Sequence, residues 1–232
     1  MSFIEKIRVP MVLKPDHPAF VEGRTLRPGR RRDPATSVPM ILKPGSDNQK
    51  LGGWVIKGDW TGSPIYSLTL EERATCWEGC KHWADCYGNH MVWGHRFAHG
   101  PALEARLRLE LPLLAQRHPH GFAVRLHVLG DFYSPEYVMF WMEMLTALPA
   151  LRVFGFTGWP PSSDIGRKVD AVRTLRPKQF RVRFSDYEAV TIDQPNSDAL
   201  ICPQQMGTSE SCGACTLCWA ASYSTVVHFL RH

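Results

Sequence analysis

From residue 65 onward the apolar positions alternate between a short extended period and a helical one. Ile65-Tyr66-Ser67-Leu68-Thr69-Leu70 is β-prone and predicts a strand. Between Ala102 and Arg117, Leu103, Leu107, Leu111 and Leu114 share one face, which predicts a helix that Pro112 would kink. Phe122 to Leu129 reads as a buried strand ending at Gly130-Asp131. Ser134-Pro135-Glu136 then supplies an N-cap and a first-turn proline for a helix carrying Val138, Trp141, Met142 and Leu145. The cycle repeats as strand Leu151 to Thr157, helix Asp164 to Leu175 with Ile165, Val169 and Val172 inward, and strand Gln179 to Ser185. Two weaker strands, Ala199 to Cys202 and Ser224 to Leu230, complete the series.

Strands separated by helices of this length imply βαβ units and a parallel sheet. About six such strands predict an α/β fold, a partial (β/α)6 barrel or a strongly curved open sheet. In either form, residues just after the strand ends gather on one rim, where α/β active sites lie. Gly130-Asp131, Thr157, Ser185-Asp186, Cys202 and the cysteines after the first strand all fall there. The expected division is a basic extension over residues 1–60, the βα array over 61–201 and a cysteine-rich tail over 202–232.

Residues 1–60 are rich in Pro, Gly and Arg and contain two similar phrases, Val9-Pro10-Met11-Val12-Leu13-Lys14-Pro15 and Val38-Pro39-Met40-Ile41-Leu42-Lys43-Pro44. Two copies are fewer than a stacked repeat needs, so two extended segments are expected. Apolar residues make up 44% of the 232 and charged residues 21%, which favours a packed core over disorder. No apolar run reaches the roughly 18 residues of a membrane helix, and Met1 to Arg8 lacks a signal-peptide core, so a cytoplasmic protein without membrane contact is expected. Charge is uneven: residues 1–32 hold eight Lys or Arg against three acids, whereas the remainder balances 19 of each.

Seven cysteines in a reducing compartment point to metal rather than disulfides. Cys76, Cys80 and Cys86 are spaced C-x3-C-x5-C. Three thiolates from one loop suit a 4Fe-4S cubane with one iron left open; zinc competes if His82, His90, His95 or His99 closes the site, and three buried structural cysteines are the plain alternative. Cys212, Cys215 and Cys218 are spaced C-x2-C-x2-C, with remote Cys202 followed by Pro203. Four thiolates would saturate a second cluster or bind zinc, in either case clipping the tail to the rim.

A three-cysteine loop after the first strand of a βα array, with Tyr87 next to its last cysteine, resembles the radical SAM superfamily. Within it, residues 61–97, 125–133, 154–157 and 202–219 are similar to a poorly characterised group of short phage and bacterial iron–sulfur proteins. The resemblance implies an enzyme in which Cys76, Cys80 and Cys86 hold the open cluster. It further implies that S-adenosylmethionine binds that iron and is cleaved reductively to a 5′-deoxyadenosyl radical. Tyr87 would lie near the adenine, and Gly130-Asp131 would receive the methionine amine. Thr157 and Ser185 occupy the matching strand ends, and a flavodoxin or ferredoxin would supply electrons. The x5 gap before Cys86 departs from the superfamily's x2.

Asp131 is also a candidate general base, with Asp186 and Tyr187 as its equivalents after the next strand. Trp54, Trp60, Trp77, Trp83 and Trp93 are dense around the first cysteines and are expected to shield a metal there. Arg27, Arg30, Arg31 and Arg32 could contact nucleic-acid phosphates. The competing functions are a zinc-stabilised nucleic-acid-binding module and a zinc-containing α/β-barrel enzyme acting on a nucleobase with Asp131 or Asp186 as base.

Overall fold

The computed structural model describes residues 11–36, 39–194 and 199–231. In chain order the strands are β1 (Arg31–Arg32), β2 (Lys43–Pro44), β3 (Ile65–Ser67), β4 (Arg96–Phe97), β5 (Phe122–Leu126), β6 (Leu151–Thr157), β7 (Phe180–Phe184), β8 (Ala189–Ile192) and β9 (Val227–Leu230). The helices are α1 (Pro18–Val21), α2 (Pro101–Arg117), α3 (Pro135–Ala147), α4 (Asp164–Leu175), α5 (Cys212–Cys215) and α6 (Leu217–Ala220). The main sheet has the order β2-β3-β5-β6-β7, parallel throughout except for antiparallel β2 at its edge. Each parallel strand is therefore laid beside its predecessor, with α2, α3 and α4 as the crossovers. β1 pairs with β4, and β8 with β9, both in parallel.

Local chemistry sets the helix boundaries. Ser134 Oγ accepts from the Tyr137 amide ahead of Pro135, and Ser163 Oγ accepts from Gly166, so α3 and α4 both begin with a satisfied amide. Helix α2 buries Leu103, Leu107, Leu111 and Leu114 and continues through Pro112. Each of these leucines contributes about 1.5–3 kcal/mol on burial. Glu110, buried on the same helix, accepts from the Ile41 and Leu42 amides and fastens the N-terminal segment to the body.

The period-2 alternation divides the sheet into two faces. Phe122, Val124 and Leu126, Leu151 and Val153, and Phe180, Val182 and Phe184 join the helices in the larger core. The opposite face carries Ile65, Ala123 and Phe154 beneath Leu51, Val55, Trp60 and Trp219, a smaller core formed by the N-terminal segment and the C-terminal tail. Arg125 and Arg183 sit in register with that second face.

Several expectations need correction. The predicted strand from Ala199 to Cys202 is a single bridge from Ile201 to His228. The partner of the 224–230 segment is instead β8, which the pattern does not predict. Ile65 to Leu70 is a strand only as far as Ser67, beyond which Leu70 bridges Phe97. The two proline-flanked phrases are not equivalent: Lys43–Pro44 forms β2, whereas residues 11–14 form no strand, their Leu13 amide bonding Ala84 O. Val9, Pro10 and Val38 lie outside the described residues, as does the 1–8 segment. Among the described residues no helix is long and apolar enough to cross a membrane.

Candidate metal centres at two cysteine groups

The loop after β3 is shaped around a buried arginine. Arg73, with φ at 66°, sends Nε to Trp83 O at 2.9 Å and Nη2 to Asn89 Oδ1 at 2.7 Å. Its Nη1 is buried without a partner among the described residues. The Cys76 amide bonds Arg73 O, the Cys80 amide Trp77 O and the Asn89 amide Cys86 O, so successive turns place the three cysteines along one wound segment. Their thiols influence one another electrostatically. Burial raises Cys76, Cys80 and Cys86, the last to about 11, and the Arg73 charge opposes that rise at Cys86. A bound cation would have to displace these protons.

Asp131 links this loop to the ends of two further strands. Its amide donates to Thr75 Oγ1 at 3.0 Å, Oδ1 accepts from Phe132 at 2.7 Å and Oδ2 accepts from Gly158 at 2.7 Å. Thr157, the last residue of β6, also bonds the carboxyl. Burial nevertheless pushes Asp131 up to about 7, because desolvation outweighs those bonds and the Arg125 charge. Gly130 has φ at 79°, and a Cβ there would come within 2.5 Å of Thr75 Oγ1. Only glycine allows so close an approach of the two loops.

The second group is built by the tail. The Cys202 amide bonds His228 O of β9, and the Cys212 and Gly213 amides bond Lys50 O and Leu51 O. A Cβ on Gly213 would stand 2.0 Å from Trp54 O, so the C-x2-C turn is pressed directly on the N-terminal segment. Ser211 caps α5, and Thr216, with φ at 64°, turns the chain into α6. Cys202, Cys212, Cys215 and Cys218 line one cleft with Pro203, Leu217 and Trp219. Burial raises Cys212 to about 11 and pushes Cys218 higher still, with neighbouring thiols adding to both shifts.

Two arginines absent from the sequence reading organise the inner face. Arg183, fully buried, donates to Cys218 O, Thr225 O, Ala221 O and Ser222 O at 2.8–3.1 Å, gathering the tail's carbonyls around one guanidinium. Arg125 stacks 4.9 Å from the Phe156 ring centroid, and its electrostatic neighbours are Cys212 and Cys218 of one group and Asp131 beside the other. Burial lowers its basicity, and these potential anions only partly oppose that. The sequence offers only arginine among apolar residues, as in FAVRL and FRVRF, with nothing to tell which face of the strand it occupies.

Other candidates are placed elsewhere. Tyr87 is 45% exposed at the outer edge of its loop. Ser185 meets the end of β6 through its backbone, its amide donating to Thr157 O. Asp186 pairs with Lys81 at 3.4 Å, and Tyr187 is exposed. The proposed histidine ligands have other partners: His82 with Asp85, His90 with the Met11 amide, His95 with Arg32, and His99 against the Tyr133 ring. Of the tryptophans, Trp60 stacks on Trp219 at 5.7 Å beside the second group, whereas Trp54 and Trp93 face solvent. Among the described residues no group of three or more His, Cys, Asp or Glu side chains is arranged to hold a single metal ion. No family model matches the chain, and comparison with curated proteins and with solved structures yields no match.

Proposed function

We propose that the protein is an iron–sulfur enzyme of the radical SAM type, with an open 4Fe-4S cluster on Cys76, Cys80 and Cys86 and a closed centre on Cys202, Cys212, Cys215 and Cys218. The carrying observation is the triple attachment of Asp131, which joins the three-cysteine loop after β3 to the ends of β5 and β6. An all-sulfur donor set suits such clusters. The strand order, each parallel strand beside its predecessor, is also the order of a partial βα barrel, which would gather these strand ends around one mouth.

When bound, the open cluster would pass one electron from a flavodoxin or ferredoxin to S-adenosylmethionine, cleaving its C–S bond to methionine and a 5′-deoxyadenosyl radical. The chain's own contribution is positioning. Asp131 would accept a hydrogen bond from the methionine amine while its carboxyl is held by Gly158 and Phe132. Thr75 and Gly130 would keep the cysteine loop against β5. Arg125 would balance negative charge from both sulfur groups, and Trp60, Phe154 and Trp219 would exclude water behind the second.

Anaerobic purification followed by iron, sulfide and zinc analysis tests the reading. Brown protein with about eight irons per chain supports two cubanes; about four irons with one zinc supports a cluster at the first site and a zinc at the second, whose four thiolates also suit a tetrahedral ion. Replacing Cys76, Cys80 and Cys86 by Ala should remove about four irons in either case. Colourless protein carrying only zinc would overturn the proposal. Reduced protein incubated with S-adenosylmethionine should release 5′-deoxyadenosine, and its absence with every reductant would remove the enzymatic part.

A further inference from the structure

Three arginines of the N-terminal arm are laid along the loop that follows the first cysteine group. Arg27 Nη2 donates to Asn89 O at 3.1 Å, Arg30 Nε donates to Val92 O at 3.1 Å, and Arg32 Nη2 lies 3.5 Å from His95 Nε2. Sequence separations of 62, 62 and 63 show the arm tracking the loop in parallel, the same direction in which β1 pairs with β4. The arm is thus a built surface of the body.

Its charges are unequally used. Arg31 has a carboxylate partner, Glu71, at 2.8 Å. Among the described residues Arg30, Arg32 and Lys43 form no ion pair. All three act on His95, whose pKa is lowered by burial first and then by Arg32, Arg30 and Lys43. Positive charge is therefore concentrated on this loop, and the nearby carboxylates Glu71 and Glu72 are taken up by Arg31 and Arg96. In its midst stands Trp93, 79% exposed, with the Arg30 guanidinium 4.9 Å from its ring centroid. So exposed an indole contributes little to the core, and the arginine stiffens it from one side.

We propose that Trp93 with Arg30, Arg32 and Lys43 forms a docking surface for single-stranded nucleic acid, the cations meeting phosphates and the indole stacking on an unpaired base. Clustered cations around an open aromatic ring are how sequence-tolerant single-strand binders work. A duplex would satisfy the cations but keeps its bases stacked away from the ring. An acidic protein partner would likewise leave the indole without a role. The surface is independent of the sulfur ligands, so it stands or falls separately from the reading of the metal centres.

Fluorescence anisotropy of the anaerobically purified protein with a labelled oligothymidine and with a hairpin duplex tests this surface. The single strand should bind more tightly than the duplex. Its log affinity should fall with log salt at a slope of about −2, as expected for three phosphate contacts. Trp93→Ala should weaken single-strand binding about tenfold with the slope kept, by the usual worth of one stacked base. Joint replacement of Arg30, Arg32 and Lys43 by Ala should abolish binding at moderate salt. Iron content should equal that of the unaltered protein in every variant. Equal binding of duplex and single strand, no binding at low salt, or unaltered binding by the variants would overturn the proposal. Retention of an acidic flavodoxin through these residues, with no oligonucleotide bound, would overturn it too and assign the face to a protein partner.

Discussion

The Gly158 amide donates to Asp131 Oδ2 at 2.7 Å, fastening the loop after β6 to the loop after β5. Because Oδ1 is likewise occupied by the Phe132 amide, both carboxyl oxygens act only as acceptors toward the backbone. Asp131→Asn would turn an NH2 group toward one of those amides. The expected cost is about 1–3 kcal/mol, that of an unsatisfied buried donor. Hydrogen exchange should show faster opening at Gly158 or Phe132; unchanged protection at both would contradict the assigned geometry.

Arg183 holds the tail through four carbonyls. Arg183→Met keeps much of the volume and leaves those acceptors unpaired in the interior. The tail, α5 and α6 included, should become the first site of limited proteolysis while the β5-β6-β7 core survives, and global stability should fall by at least about 3 kcal/mol. Cleavage elsewhere, with the tail still protected, would refute the clamp.

His127 lies between the Phe132 and Tyr137 rings, with Nε2 3.3 Å from the Tyr137 hydroxyl. Burial first, then the Arg125 charge, lowers its pKa to about 3. The unfolded chain therefore takes up a proton below about pH 6.5 that the folded one refuses, so stability is lost as pH falls from there towards 3. Between pH 7 and pH 5 this residue should account for about 2 kcal/mol. Urea titrations at both values should show that difference reduced in His127→Gln. An equal pH slope in both proteins would show that the ring takes up its proton alike in the folded and unfolded chains.

Glu72 and Arg96 form a fully buried pair at 2.7 Å, with Thr25 Oγ1 as a second donor to the carboxylate. Glu72→Gln strands the guanidinium and should cost about 3–5 kcal/mol, whereas Glu72→Leu combined with Arg96→Met should recover much of it. Denaturation midpoints of Glu72→Leu, Arg96→Met and the double variant decide this; a double variant as unstable as the sum of those two singles would show that the charges act independently.

The α/β array was legible because each of its elements carries a strong local signal. The strand Leu151–Thr157 and the helix Asp164–Leu175 have the expected bounds, set by β-rich apolar residues and by the Ser163 cap. β8 escaped notice because Ala189-Val190-Thr191-Ile192 is brief, mostly half-buried and defined by a partner far along the chain. The strand ends drew attention to Gly130 and Asp131, whose amide the structure bonds to Thr75 beside Cys76, and the tail cysteines grouped by spacing line one cleft. Arg73, Arg125 and Arg183 were not legible, since arginine has no positional signature until the fold shows which face of a strand or turn it occupies.

The pairing of the Cys202 amide with His228 O also imposes a timetable on synthesis. The Thr75–Asp131–Gly158 fastening can form once the growing chain has delivered Gly158, but Cys202 has no docking place until His228 has emerged. These events are separated by roughly 70 residues, or several seconds at about 5–20 residues per second. The earlier sulfur group can thus take its folded arrangement while its counterpart is still being made, and Arg231, which pairs with Asp85, joins the two only at the end of that interval.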